Sequence, residues 1–126
     1  MIILRFSPEH SWVRLDDDGL ATVGISPYAQ EQLGDIVYIE APDVGRDITQ
    51  GEDVGVVESV KTTGELRAPA SGAVVALNSA ALENPELVNE SPLDDGWIFR
   101  MRIDDEGALD ELMDEDDYAE YVAGLD

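Results

Sequence analysis

No cysteine occurs among the 126 residues. Structural disulfides, zinc–thiolate sites and cysteine nucleophiles are therefore excluded, and an intracellular setting is predicted. Long apolar runs are missing as well. The stretch Met1-Ile2-Ile3-Leu4-Arg5-Phe6 is too short and too soon charged for a secretory segment, and no later run approaches membrane length. No glycine-rich phosphate loop, nucleophile elbow or metal-binding histidine pair is present. Basic charge is scarce: seven Lys and Arg stand against 29 Asp and Glu, for a formal net charge of −22. Such a surface repels nucleic acid and anionic membranes, so both are set aside as partners. Lysine is scarcest of all, because Lys61 is the only one and the other six basic residues are arginine.

What remains is 44% apolar, enough for one domain over 1–126 to bury a core without metals or disulfides. Val, Ile and Leu alternate with polar residues through most of the chain, which predicts a folded core in an acidic shell rather than disorder. The reading is of a soluble, cytoplasmic protein. Acid enrichment with arginine kept and lysine nearly lost also fits adaptation to molar salt, where the Debye length shrinks to about 3 Å and mutual repulsion fades.

Two apolar stretches, around Trp12-Val13 and Leu20-Ala21-Thr22-Val23, flank Asp16-Asp17-Asp18-Gly19 and suggest a hairpin. Ser26-Pro27 supplies an N-cap and a proline at the first helical position, Tyr28–Leu33 fits a short helix, and Gly34 ends it. Strands are expected at Asp35–Glu40, Asp53–Val60, Glu65–Ala68, Ala73–Leu77 and Trp97–Ile103, with one more helical turn after Asn84-Pro85. Many short, regularly spaced strands predict a mainly β sandwich or barrel. From Asp104 the pattern turns helical: Leu109, Leu112 and Met113, then Tyr118, Tyr121, Val122 and Leu125, recur among acids. One or two amphipathic helices packed on the sheets are expected over 104–126.

Lys61 stands in Glu58-Ser59-Val60-Lys61-Thr62-Thr63-Gly64, between two predicted strands. A lysine amine can be acylated once deprotonated, which arginine cannot; the ordinary alternative is a solvated surface lysine. Around it run Val44, Ile48, Gly51, Val54, Val57, Glu58, then Leu66, Ala68, Pro69, Gly72 and Val74. In the approaching strand, simple alternation sets Val54, Val56 and Val60 on one side and Gly55, Val57 and Ser59 on the other. This spacing resembles the lipoyl/biotinyl carrier fold, a flattened barrel of two small antiparallel sheets with the modified lysine at the tip of an exposed hairpin. Biotin carriers usually flank their lysine with methionines, and lipoyl domains of 2-oxoacid dehydrogenases place aspartate just before it; neither feature occurs here. Glu58-Ser59-Val60-Lys61 instead resembles the glycine cleavage system H-protein family. His10-x-Trp12-Val13, Val23-Gly24-Ile25, Tyr28–Val37, Pro85–Asn89 with Ser91-Pro92, Gly96-Trp97 and the acidic C-terminal helix agree with it.

The resemblance implies a non-catalytic carrier whose lipoyl-binding core spans 22–103, with a short helix near 27–33. Lipoate would be joined to Lys61 by a lipoate ligase or lipoyl transferase, with Glu58, Ser59 and Val60 as the attachment motif. A pyridoxal-phosphate-dependent glycine decarboxylase would load an aminomethyl group, a tetrahydrofolate-dependent aminomethyltransferase would take it, and dihydrolipoyl dehydrogenase would reoxidise the dithiol. A monomer is expected. In the family a polar cleft shelters the adduct. Members usually have glutamate before the first tryptophan, where this chain has Ser11, and Ser-Asp three and four residues beyond the lysine, where it has Gly64-Glu65. Glu65, Ser11 and Glu9 are the cleft candidates. These departures leave open a lipoyl-relay donor or a regulatory module with no part in glycine oxidation. Elsewhere, the single histidine, His10, reads as structural or surface, Trp97 as core, and Asp16–Asp18 and Asp114–Asp117 as solvated runs without calcium-loop spacing.

Overall fold

The computed structural model describes residues 3–16 and 19–125. Its strands form two antiparallel sheets, numbered here in chain order. The larger has the order β1-β2-β3-β9-β8-β5, from Ile3–Phe6, Ser11–Leu15, Ala21–Ile25, Phe99–Ile103, Gly72–Leu77 and Asp47–Ile48. The smaller has the order β4-β6-β7, from Ile36–Glu40, Asp53–Ser59 and Thr63–Arg67. Val13, Val23 and Ile25 from the larger sheet pack with Ile39, Val57 and Leu66 from the smaller, together with Ile98, Phe99 and Met101. The mainly β, two-sheet architecture is the one the turn spacing predicts.

Helix α1, Pro27–Leu33, is built from the expected signals. Ser26 Oγ accepts from Ala29 N at 3.1 Å, Pro27 occupies the first turn, and Gly34 ends the helix at φ 83°. Helices α2 (Ser79–Glu83) and α3 (Glu86–Glu90) follow β8. At the C-terminus a 3₁₀ helix, Glu106–Glu111, precedes α4, Glu115–Ala123. Asp114 caps α4 through Asp117 N at 2.8 Å, and Glu115, Asp116 and Asp117 favour its positive end. The run over Asp114–Asp117 is exposed, as expected, and Asp114 serves in addition as the cap. The apolar stripe is only partly used: Leu109 and Tyr118 are buried, whereas Tyr121 and Leu125 are exposed.

Several expectations need correction. Ile3–Phe6, to which the sequence assigned no element, forms a strand paired with β2, and its end is bound to the C-terminal segment by Phe6 N to Met113 O at 2.8 Å and Met113 N to Phe6 O at 3.0 Å. Simple alternation fails in β6. The register slips between Asp53 and Gly55, so Val54 and Val57 both reach the core and Val60 is 71% exposed. Gly55 lies so close to β4 that a Cβ there would stand 2.1 Å from Glu40 O. Trp12, not Trp97, is the fully buried tryptophan; its indole donates to Pro92 O at 2.7 Å and lies against Gly24. Trp97 is half-buried beside it, and the last strand begins at Phe99.

Asp17 and Asp18 lie outside the described residues, but Asp16 is no solvated acid. It accepts from Arg14 at 2.7 Å, Thr22 at 2.7 Å and Arg100 at 3.1 Å, with its side chain 18% exposed. Burial opposes its charge, yet the bonds from Thr22 and Arg14, the attraction of Arg14 and the bond from Arg100 together hold the carboxyl below its ordinary value of 3.8. A depressed carboxyl contributes stability above the unfolded value and loses it as pH falls through the folded one. Wild-type protein is therefore expected to lose urea resistance more steeply than Asp16→Asn between about pH 5 and pH 2. Equal slopes would remove Asp16 as a source of acid sensitivity.

Candidate functional site

Strands β6 and β7 meet in a tight turn, with Glu58 opposite Thr63 and Val57 opposite Gly64. Ser59 closes it. Its N–H donates to Thr62 O at 2.8 Å, and its hydroxyl donates to the same oxygen at 3.0 Å while accepting from Thr62 N at 3.1 Å and Lys61 N at 3.3 Å. Serine is suited to this because one side-chain oxygen serves the backbone groups that a two-residue loop leaves awkwardly placed. The turn is also fastened sideways, by Val60 N to Asp35 O at 3.0 Å. Lys61 and Glu58 are both exposed.

The lysine stem does not project at random. A Cβ built on Gly34 would meet Lys61 Cε at 3.2 Å and Nζ at 3.8 Å, so the aliphatic chain lies over the glycine that ends α1. The neighbouring Gly64 lies equally close to Leu33, at 3.2 Å from its Cδ2 on the same construction. Beside them lies a groove of about 330 Å³, lined by Tyr28, Ala29, Gln32 and Leu33 of α1 together with Glu9, His10, Gly64 and Glu65.

Of the three cleft candidates, Glu9 and Glu65 line this groove. Glu65 is ion-paired with Arg67. Ser11 does not line it. That residue is 2% exposed, with its hydroxyl 2.8 Å from Ser7 Oγ and donating to Arg67 O at 3.2 Å. The Ser11 side chain therefore faces the interior, because it sits in β2 opposite the buried Ile25. Sequence reasoning missed Tyr28, Gln32 and Leu33. The available signal was their spacing on one face of a helix that buries none of its residues completely.

His10 was read as structural, and it is that and more. It is the one non-glycine residue with positive φ, 69°, among the described residues. Its Nδ1 lies 2.7 Å from Tyr118 Oη, which lies 2.7 Å from Ser26 Oγ, and its ring packs on Tyr28 with centroids 4.8 Å apart. Burial lowers its pKa against the opposing pull of Glu9.

A lone exposed lysine at the apex of a β-hairpin, on two small antiparallel sheets, defines a carrier domain of the lipoyl/biotinyl type. The comparisons are narrower. A family model described as Glycine cleavage H-protein matches residues 4–124. Glycine cleavage system H proteins of Rhodospirillum rubrum and Marinobacter nauticus are each 49% identical, over 98% and 95% of this chain and 98% and 92% of theirs. That of Thermotoga maritima is 46% identical over 98% of both. The crystal structure of a glycine cleavage system H protein from Mycobacterium marinum superposes with a TM-score of 0.88 at 34% identity, covering 95% of this chain and 96% of that one. The chain belongs to the glycine cleavage H-protein family. It is a non-catalytic carrier subunit of that system, and a relay or regulatory role without glycine cleavage is not favoured.

Replacing Ser59 with alanine removes the shared hydroxyl without altering the strands. The expected loss is about 0.5–1.5 kcal/mol in urea denaturation, with faster hydrogen exchange at the Lys61 and Thr62 amides. Unchanged exchange there would show that the backbone alone holds the turn.

Proposed function

We propose that Lys61 carries lipoate as an amide and that the chain moves the aminomethyl group of glycine between enzymes in the cytoplasm, as a monomer. The observation that carries this reading is the exposed Lys61 amine at the tip of a braced hairpin, with its stem laid over Gly34 toward the groove. The site fits the group: the amine is open to an acylating enzyme, and the groove beside it offers two carboxylates and apolar walls. When bound, lipoate supplies a cyclic disulfide that accepts the one-carbon cargo and returns as a dithiol.

The residues of the chain do the rest. Glu58, Ser59 and Val60 present the amine to a lipoate ligase or lipoyl transferase, Ser59 by closing the turn. Glu9 and Glu65 provide negative charge for an ammonium held in the groove, in place of a carboxylate at position 11. Tyr28, Ala29 and Leu33 exclude water along the arm. A stiff hairpin keeps the origin of the arm fixed while its end visits three enzymes in turn: pyridoxal-phosphate-dependent glycine decarboxylase, tetrahydrofolate-dependent aminomethyltransferase and dihydrolipoyl dehydrogenase. Seven basic residues cannot neutralise 29 acids, which supports a working environment of high salt.

Intact-mass measurement after co-expression with a lipoylating system is expected to show one lipoyl group on the wild type and none on Lys61→Arg. A lipoylated Lys61→Arg chain would defeat the assignment. With the purified decarboxylase, the lipoylated chain is expected to support exchange of labelled bicarbonate into the glycine carboxyl group. Absence of exchange would instead indicate a relay or regulatory module. The melting temperature is expected to fall on dialysis from molar to dilute salt; one that holds or rises would count against salt adaptation.

A further inference from the structure

We infer that His10 is a further cargo-binding residue, its Nε2 accepting a hydrogen bond from the ammonium of the aminomethyl group carried in the groove. This rests on the proposed carrier function and assigns a new contact within it. Three observations converge on the imidazole. It lines the groove that begins at the lysine hairpin. Its Nδ1 is engaged by Tyr118, whereas Nε2 has no hydrogen-bond partner among the described residues. The residue is held at φ 69°, a conformation that an ordinary side chain adopts at a cost and that persists where the surroundings enforce it.

The hydrogen-bond chain behind the ring can fix the required tautomer. Ser26 Oγ already accepts from Ala29 N and has a second lone pair for Tyr118 O–H. Tyr118 oxygen then accepts from Nδ1–H, leaving a lone pair on Nε2. Burial favours the neutral ring over the imidazolium, and a neutral ring is what an acceptor must be. Ser11, whose side chain is turned inward, cannot make this contact, and a neutral acceptor supplies direction where Glu9 and Glu65 supply charge. The arrangement also protects the cargo, because a nitrogen held as ammonium has no lone pair with which to expel the adjacent sulfur.

The titratable and charged groups around the ring are Glu9 next to it, Tyr28 from α1, Tyr118 and Tyr121 from α4, and Glu65 across the groove, the last paired with Arg67. A nearby ammonium disfavours the imidazolium, so loading is expected to lower the pKa of His10 further, and the hydrogen bond from the ammonium to Nε2 to be lost as pH falls through it.

His10 is the only histidine, so its ring nitrogens can be followed without ambiguity by ¹⁵N NMR on the lipoylated chain before and after loading with glycine and the decarboxylase. Loading is expected to shift the Nε2 resonance and move the titration downward. His10→Asn keeps a residue that tolerates positive φ and is expected to shorten the lifetime of the loaded chain, read as release of ammonia, about tenfold, equivalent to roughly 1.4 kcal/mol, with lipoylation of Lys61 unchanged. Tyr118→Phe leaves the ring but frees Nδ1, and is expected to change the lifetime in the same direction. A chain that takes up lipoate and cargo with no response at His10, or whose two variants keep the cargo as long as the wild type, overturns this contact alone. A chain that takes up neither overturns the carrier function with it.

Discussion

A backbone hydrogen bond from Val60 N to Asp35 O fastens the lysine turn, beyond the paired part of its hairpin, to the junction between α1 and β4. It carries the β4–β6 pairing, whose last pair is Ile36 with Ser59, one step further into the turn itself. With it, the hairpin, Gly34 and the groove become one unit. The lysine stem and the α1 terminus share the space that a methyl group at position 34 would take, while Leu33 fills the space beside Gly64. Position and direction of the arm thus follow from packing rather than from the lysine itself.

The support behind that junction is polar. Asn89, from α3, accepts from Ile36 N at 2.9 Å and from Gln30 at 3.2 Å, and donates to Ile36 O at 3.2 Å, so one side chain joins three elements. At the other end of α1, Ser26 both caps the helix and meets Tyr118, which reaches His10 and stacks on Phe6 at 4.5 Å. The C-terminal helix is therefore part of the groove's foundation. Both ends of α1 are held by side chains from distant parts of the chain, and the face between them is left for the groove.

Much of this was legible before any coordinates. Ser26, Pro27 and Gly34 are local signals with local causes, and they delimited α1 correctly. The lysine turn was equally clear, because Ser59 and the flanking strands act within a few residues of one another. What failed was whatever depends on a partner far away in the chain. The β6 register slip against β7 falls where Gly55 lies close to Glu40 of β4, and no alternation rule contains that contact. Asp16 looked solvated because its place in an acidic run masked the nearby Arg14 and Thr22, and Arg100, 84 residues on, is invisible in one dimension. Ser11 looked available by its position beside Trp12, yet strand pairing with Ile25 turned it inward. His10 was discounted for want of neighbours, and its neighbours came from Tyr28 and Tyr118.

The register slip between Ile36 and Tyr38 has an effect reaching past the single molecule. It falls in β4, an outer strand of the three-stranded sheet, and leaves Val37 and Tyr38 both turned to solvent, followed by the exposed Glu40. A straight margin of unpaired amides is a template onto which another chain can add a strand. The kink and the carboxylate spoil that template beside the one lysine. Copies of the chain are thereby discouraged from zipping together at the edge that adjoins the exposed lysine turn.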